Sequence, residues 1–278
     1  MNAFGRWRCL PTDDGSYSAG PTLDLEDERI REAMIKMAVI TEIADDVFRI
    51  STYVPERNLQ INQFLVNDDE PLLWHTGQRF LFDGVREAVS KVLDPAKISW
   101  IGFSHFEVDE CGSLNDWFNL APKSKGFCST VGARVNMYEY ASRPVKGLGN
   151  GQTFATGKHV YRFLATPNLP HCWDAGLLFD ETSRTLFCSD LFHHNGDVEP
   201  ITASEIVGRA SNHLVEMEKG SFNDYIPYTS KTERFLSELA ELDPGTLAVM
   251  HGSSFVGDCA KSLGDLAEVI RKVVGRRQ

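Results

Sequence analysis

From Met37 onward, apolar and polar positions fall into two clear periods. Ala38–Ile40, Val47–Ile50 and Gln60–Val66 read as successive strands, separated by turn residues at Asp45, Asp46 and Pro55–Asn58. Pro71–Gly77 reads as a further strand and turn. Phe82, Val85, Val89 and Val92 then recur at helical spacing, closed by Asp94 and Pro95. Ile98–Phe103 is a buried-strand run, and Ser113–Phe118 reads as a helix start. Residues 123–157 mix glycines with short apolar pieces and show no period. Val160–Leu164 resumes the strand pattern, and Ala175–Asp180 with Arg184–Cys188 reads as a hairpin across Glu181–Ser183. Ser230–Glu233 has the form of a capping box ahead of Phe235, Leu236 and Leu239. Thr246–Met250 is a short buried strand ending at His251. Leu263, Leu266, Ala267, Ile270, Val273 and Val274 give a last helix one apolar face, ended at Gly275 before a basic tail. Two sheets covered by helices on the outside satisfy this order.

Residues 1–36 differ in texture. Thr12–Ser16 and Ser18–Pro21 are turn and linker chemistry, and Asp24–Lys36 has rough helical spacing. They read as an N-terminal extension to a single domain over 37–278. The formal charge of -11 repels phosphate backbones and anionic lipid, which argues against nucleic-acid and membrane-surface partners. No apolar run reaches the roughly 18 residues of a membrane span, and the N-terminus lacks the apolar core of a secretory signal. The six cysteines form no Cys-x-x-Cys pair and read as reduced thiols of a cytoplasmic protein.

The chemistry concentrates in Ser104–Gly112. It carries His105, Glu107, Asp109 and Glu110 just after a buried strand, where sites are usually built. In an extended loop alternate side chains share a face, so His105, Glu107 and Asp109 are expected to converge. His171, Asp190 and His251 each follow a strand. Singly, the two histidines read as hydrogen-bonded core residues and Asp190 as a cap or turn residue.

Together these residues resemble a known pattern. His-x-Glu-x-Asp followed by a His, an Asp and a His at strand ends is similar to the metallo-beta-lactamase superfamily, and more closely to the di-iron domain of the flavodiiron proteins. Positions 109, 171, 190 and 251 are spaced by 62, 19 and 61 residues, in keeping with that family. The contexts Pro170–Asp174, Phe187–Asp190 and Met250–Gly252 also look like their counterparts, and the likeness runs over residues 37–278. It implies an α+β fold, a metallo-beta-lactamase-like αββα sandwich of two mixed sheets covered by helices. It also implies a non-haem centre of two Fe. His105, Glu107 and His171 would hold one iron, Asp109 and His251 the other, and Asp190 would bridge them. Zinc hydrolases of the superfamily carry a second histidine where Glu107 stands. The carboxylate makes the site harder, which favours iron or manganese over a soft-metal centre.

Two departures qualify the likeness. Glu110 stands where the family often has His, and is a further candidate ligand. The flavodiiron proteins carry a flavodoxin-like domain after the di-iron domain. Here no Gly-rich or Ser/Thr-rich phosphate loop for a flavin follows His251, so no FMN site is expected within the chain. The resemblance is then to stand-alone oxygen-binding di-iron proteins. It implies O2 or NO as the small-molecule partner, an external electron donor or signalling protein, and a homodimer. The competing reading is a binuclear metallohydrolase acting on an ester or thioester, which Glu107 weighs against. Around the set, His193 and His194 read as surface residues, the other reading being that one of them donates a hydrogen bond to a ligand; Cys111, Cys172 and Cys188 read as buried small residues, and Phe106 and Trp173 as pocket wall. His75 stands where the superfamily often has a structural Asp and is expected to bond the loop backbone. Asp174 reads as an orienter of His171 or the start of a turn.

Overall fold

Fourteen strands of the computed structural model, which describes residues 37–275, form two seven-stranded sheets. The expected N-terminal extension and its short helix lie outside the described residues. In the first sheet, β1 (Val39–Ala44), β2 (Val47–Val54), β3 (Leu59–Val66) and β4 (Leu72–Trp74) run antiparallel as sequential neighbours. Helix α1 (Phe82–Ser90) follows. Val85, Ala88 and Val89 form its buried stripe, as the spacing requires. The chain then returns parallel to β4 as β5 (Trp100–Gly102). Next come α2 (Val108–Cys111), α3 (Leu114–Leu120), β6 (Lys125–Ser129), α4 (Thr130–Val135), α5 (Met137–Tyr140) and β7 (Val145–Leu148). Strands β5, β6 and β7 are parallel neighbours.

The second sheet opens with β8 (Thr153–Ala155), β9 (Val160–Ala165), β10 (Gly176–Asp180) and β11 (Thr185–Ser189), all antiparallel. The β10–β11 hairpin is as expected. After β12 (Ile201–Thr202), α6 (Ile206–Met217) and α7 (Thr232–Glu241), β13 (Thr246–Val249) inserts parallel to β11. Strand β14 (Ser254–Val256) and α8 (Cys259–Val273) complete the fold. The sheet order is β12-β14-β13-β11-β10-β9-β8.

Alternation along the strands makes two cores. Phe64, Trp74 and Phe127 of the first sheet meet Phe163, Leu178, Phe187 and Ala248 of the second. The neighbouring positions Leu177, Leu186, Leu247 and Val249 point the other way, against Leu236, Leu239, Leu263 and Ile270 of α7 and α8. Gly102 is required in β5: a methyl group there would sit 2.3 Å from the Phe127 ring. No helix among the described residues is long and apolar enough to cross a membrane.

Two local expectations need correction. Helix α7 does not use Ser230 as a cap. It starts at Thr232, where the Thr229 N–H donates to Thr232 Oγ1 at 2.8 Å, and Glu233 accepts from Tyr228 Oη instead. The unassigned residues 123–157 fold into β6, α4, α5, β7 and β8, each of six residues or fewer. Elements so short, with Gly126 and Gly147 packed directly under Phe118 and Thr130, leave no period to read.

Candidate metal centre

The strand ends bring the separated side chains together. His105 lies two residues beyond Phe103, at the end of β5, and its ring is fully buried. Glu107 remains extended (φ -136, ψ 163) and caps α2, so the loop becomes a helical turn from Val108. The expected extended loop is therefore wrong beyond Glu107. The turn carries Asp109 and Glu110 on consecutive positions, and Glu110 is fully buried. His171 follows the β9 end, Asp190 the β11 end and His251 the β13 end.

Their distances describe one cluster. The Nε2 atoms of His105 and His171 face each other at 2.8 Å. Asp190 Oδ2 lies 3.5 Å from both. Glu107 Oε1 is 3.3 Å from His171 Nε2. On the other side, His251 Nε2 is 3.2 Å from Asp190 Oδ1 and 3.3 Å from Asp109 Oδ2. Asp190 thus presents one oxygen to each half, and both oxygens are buried outside hydrogen-bond geometry. Both Glu110 oxygens are buried and equally unsatisfied, with Oε1 3.8 Å from His105 Nε2. All six expected ligands and Glu110 fall into overlapping groups whose donor atoms lie within 4.8 Å of one another.

Hydrogen bonds behind the cluster aim it. His251 Nδ1–H donates to the Gln60 carbonyl of β3 at 2.9 Å, directing Nε2 inward. Its loop is clamped by the first sheet: buried Arg49 and Asn62 both donate to the Gly252 carbonyl, at 2.8 and 2.9 Å. Gly252 itself has φ +107, and a Cβ there would stand 2.4 Å from His194 Nε2. His105 Nδ1 bonds Ser104 Oγ at 3.0 Å, and Ser104 Oγ also bonds His75 Nε2 at 3.0 Å and Ser189 Oγ at 2.8 Å. The His75 ring therefore bonds the side chains of Ser104 and Met250 and not the loop backbone as expected. Its burial pushes its pKa down to about 3. Non-glycine residues with positive φ gather around the cluster: His75, Cys172, Ser189 and Phe192. Such conformations cost about 1–3 kcal/mol each and persist where the surroundings fix them.

Electrostatics show what the cluster is built to hold. Burial opposes charge on His251 and His171. Close pairing of His251 with Asp109 and Asp190, and of His171 with Cys172 and Glu107, outweighs it and raises both to about 10. Asp190 is held well below the carboxylate range: burial pushes it up, and the close contact with His251 together with the charges of His171, His251 and His105 pushes it down further. Glu110 goes the other way, raised by burial and then by Asp109, Asp190 and Glu107. The metal-free cluster therefore keeps protons at Nε2 that a cation must displace. Below about pH 10 His171 and His251 are protonated, so apparent metal affinity should rise with pH through the neutral range and flatten above about 10. The slope should be up to about tenfold per pH unit for each proton displaced. Calorimetric metal titrations in buffers of different ionisation heat read that proton count, and buffer-independent heats would contradict it.

Several neighbours differ from the sequence reading. His194 is buried, donating from Nδ1 to Phe192 O at 2.8 Å and accepting the Ser253 N–H at 2.9 Å. His193 is half-buried and groups with Asp190 and His251 as a metal-ligand candidate. Surface placement is wrong for both, because the turn after Asp190 folds back over the His251 loop. Cys111 and Cys188 are buried as expected, but Cys172 is half-exposed, its thiol 4.0 Å from Glu107 Oε1. Trp173 is 51% exposed rather than packed, whereas Phe106 packs edge-on against Tyr140 with ring centroids 5.2 Å apart. Asp174 accepts from Asn136 and not from His171. Tyr225, which no motif signalled, packs its ring 4.5 Å from His171.

Two helix-covered mixed sheets with this His–carboxylate cluster at their strand ends define a protein of the metallo-beta-lactamase superfamily. The model of the ODP family beta lactamase matches residues 59–252, and the chain belongs to that family. The rubredoxin-oxygen oxidoreductase of Megalodesulfovibrio gigas is 27% identical over 203 residues, 70% of this chain and 49% of that protein. Flavo-diiron protein FprA2 of Clostridium acetobutylicum is 25% identical over 227 residues, 76% of this chain and 56% of its own. The chain thus spans about half the length of these relatives. Among solved structures, rubredoxin oxygen:oxidoreductase from Desulfovibrio gigas superposes with TM-score 0.72 at 21% identity, over 83% of this chain and 61% of that one. A fragment (1–254) of putative diflavin flavoprotein A 5 from Nostoc sp. PCC 7120 gives TM-score 0.71 at 15% identity, over 87% and 98%. The likeness covers the di-iron domain of the flavodiiron proteins.

Proposed function

We propose that residues 37–278 form a non-haem di-iron domain that binds or reduces O2 or NO. The observation that carries this reading is Asp190, whose two buried oxygens face His105 with His171 on one side and His251 on the other without a directed hydrogen bond. A buried carboxylate needs compensating positive charge, which the protonated histidines supply in the metal-free protein and a cation would supply in their place. The donor set fits the group. Glu107, Asp109, Glu110 and Asp190 carry four negative charges when ionised, matching two divalent ions, and no thiolate dominates. His105, Glu107 and His171 would hold one ion and Asp109 and His251 the other, with Asp190 shared between them. Glu110, raised by burial and then by the neighbouring carboxylates, would complete the inner face once cations offset both effects.

When bound, two ferrous ions supply a site that takes both ends of a diatomic molecule and delivers electrons to it. The protein fixes their geometry from four strand ends and closes one side with Tyr225 and the buried His75–Ser104 network. A reduction draws its electrons from a donor outside residues 37–275. By the same resemblance, the working assembly is a cytoplasmic homodimer.

The test is anaerobic loading of the full chain, metal analysis, and an oxygen electrode with an artificial donor. Two irons per chain and a visible absorption band on exposure to air are expected. Sustained oxygen consumption identifies a reductase, and a single stoichiometric uptake identifies a binder. Two zincs with ester hydrolysis and no reaction with O2 would overturn the proposal.

A further inference from the structure

We propose that His193 is an additional ligand of the second metal, the one held by Asp109 and His251, binding through Nδ1. The inference rests on the metal-pair reading above and adds a residue to it. In the sequence His193 reads as a surface residue or as a hydrogen-bond donor behind a ligand, not as a ligand itself. It follows Asp190 by three residues, across a turn in which Phe192 adopts φ +65 and the His193 N–H donates to the Asp190 carbonyl at 3.1 Å. This turn swings the imidazole over His251, with ring centroids 4.4 Å apart. A nitrogen of His193 then lies within 4.8 Å of ligand atoms of both Asp190 and His251.

The two ring nitrogens have different surroundings. Nε2 lies 3.2 Å from Asn195 Oδ1, which can only accept, so the ring proton sits on Nε2. Nδ1 is buried with no hydrogen-bond partner. A metal-binding histidine has this arrangement: one N–H anchored to an oxygen and the opposite lone pair unspent. The ring plane is also held. His213 of α6 stacks on its other face at a centroid distance of 4.0 Å and an interplanar angle of 21°. Preorganisation of this kind lowers the cost of capturing the ion.

The consequence is a balanced pair of sites. His105, Glu107 and His171 give the first metal three donors besides Asp190. Without His193 the second has only Asp109 and His251 besides Asp190, with Glu110 between the halves. His193 brings it a second imidazole.

The test loads full-length wild type, His193→Gln and His193→Gly with ferrous iron under anaerobic conditions. Metal content, affinity by chelator competition, and the Mössbauer spectrum are compared. Wild type should hold two irons. His193→Gln should lose affinity for one iron by at least about 10-fold, the scale set by weaker outer-shell partners, with one Mössbauer doublet shifted and the other retained. Imidazole added to His193→Gly should restore the lost doublet, which a purely structural role would not allow. Both irons bound by His193→Gln with wild-type affinity and an unchanged spectrum would overturn the proposal. A crystal of iron-loaded wild type decides independently of how the variants fold. Nδ1 roughly 2.1 Å from the second iron supports the assignment, and Nδ1 beyond about 3 Å overturns it. A wild type that takes up no pair of metals sinks the underlying reading, whereas a two-iron wild type with an indifferent His193→Gln sinks this ligand alone.

Discussion

Asp190→Asn should leave the protein unable to hold a pair of metals. The amide has the shape of the carboxylate, so the β11 turn keeps its place. The charge is lost at the point shared by His105, His171 and His251, within 3.2 to 3.5 Å of all three Nε2 atoms. Losing a partner that merely orients a metal ligand costs roughly 10–100-fold in affinity, and removing the bridge should cost more than that. Metal analysis should return at most one ion per chain, and metal-dependent stabilisation should shrink with it. A ligand at 1,000 times its Kd stabilises the folded state by about 4 kcal/mol. The melting temperature of Asp190→Asn should therefore respond little to iron concentrations that raise that of wild type. An unchanged two-iron content would contradict the bridging role.

Phe187→Ala should give the largest loss of folding stability without touching a ligand. Phe187 is fully buried between the sheets, packed edge-on to Phe64 at 5.5 Å and tilted on Trp74 at 6.2 Å. Truncating such a ring removes its transfer energy and leaves a cavity, for about 3–5 kcal/mol. A domain of this size loses roughly 2–4 °C per kcal/mol, so the melting temperature should fall by about 6–20 °C. Urea unfolding of the metal-free protein checks the energy directly. Because Phe187 stands three residues before Asp190, on the strand that Asp190 follows, metal affinity should drop as well. A shift below about 1 kcal/mol would mean that the two sheets do not share this core.

The fold was legible where periods are long. The stripe Phe82, Val85, Val89 predicts its helix because one face is buried over two turns, and the run Gln60–Val66 predicts its strand although both of its faces are buried. The order of the parallel strands β5, β6 and β7 was not legible, since strands of three to five residues carry too few alternations. In the site, His171, Asp190 and His251 were readable only through their combined order and spacing, because singly each also fits a hydrogen-bonded core histidine or a turn residue. The Ser104–Gly112 loop was half readable. Convergence of His105, Glu107 and Asp109 holds, but its cause is a helical turn at Val108 and not an extended chain. That turn buries Glu110, which the sequence pattern leaves equally free to face outward. His193 was misjudged for a related reason. Its placement depends on the left-handed backbone at Phe192 and on stacking with His213, a residue 20 positions later, and neither leaves a mark on local composition.

The measurement that tests the account most directly is anomalous diffraction at the iron edge from crystals of the full chain grown without oxygen. The expected result is two iron peaks, one among His105, Glu107 and His171 and one beside Asp109 and His251, with the Asp190 carboxylate between them. A single peak, a pair that scatters only at the zinc edge, or no peak inside this ring of side chains would contradict it.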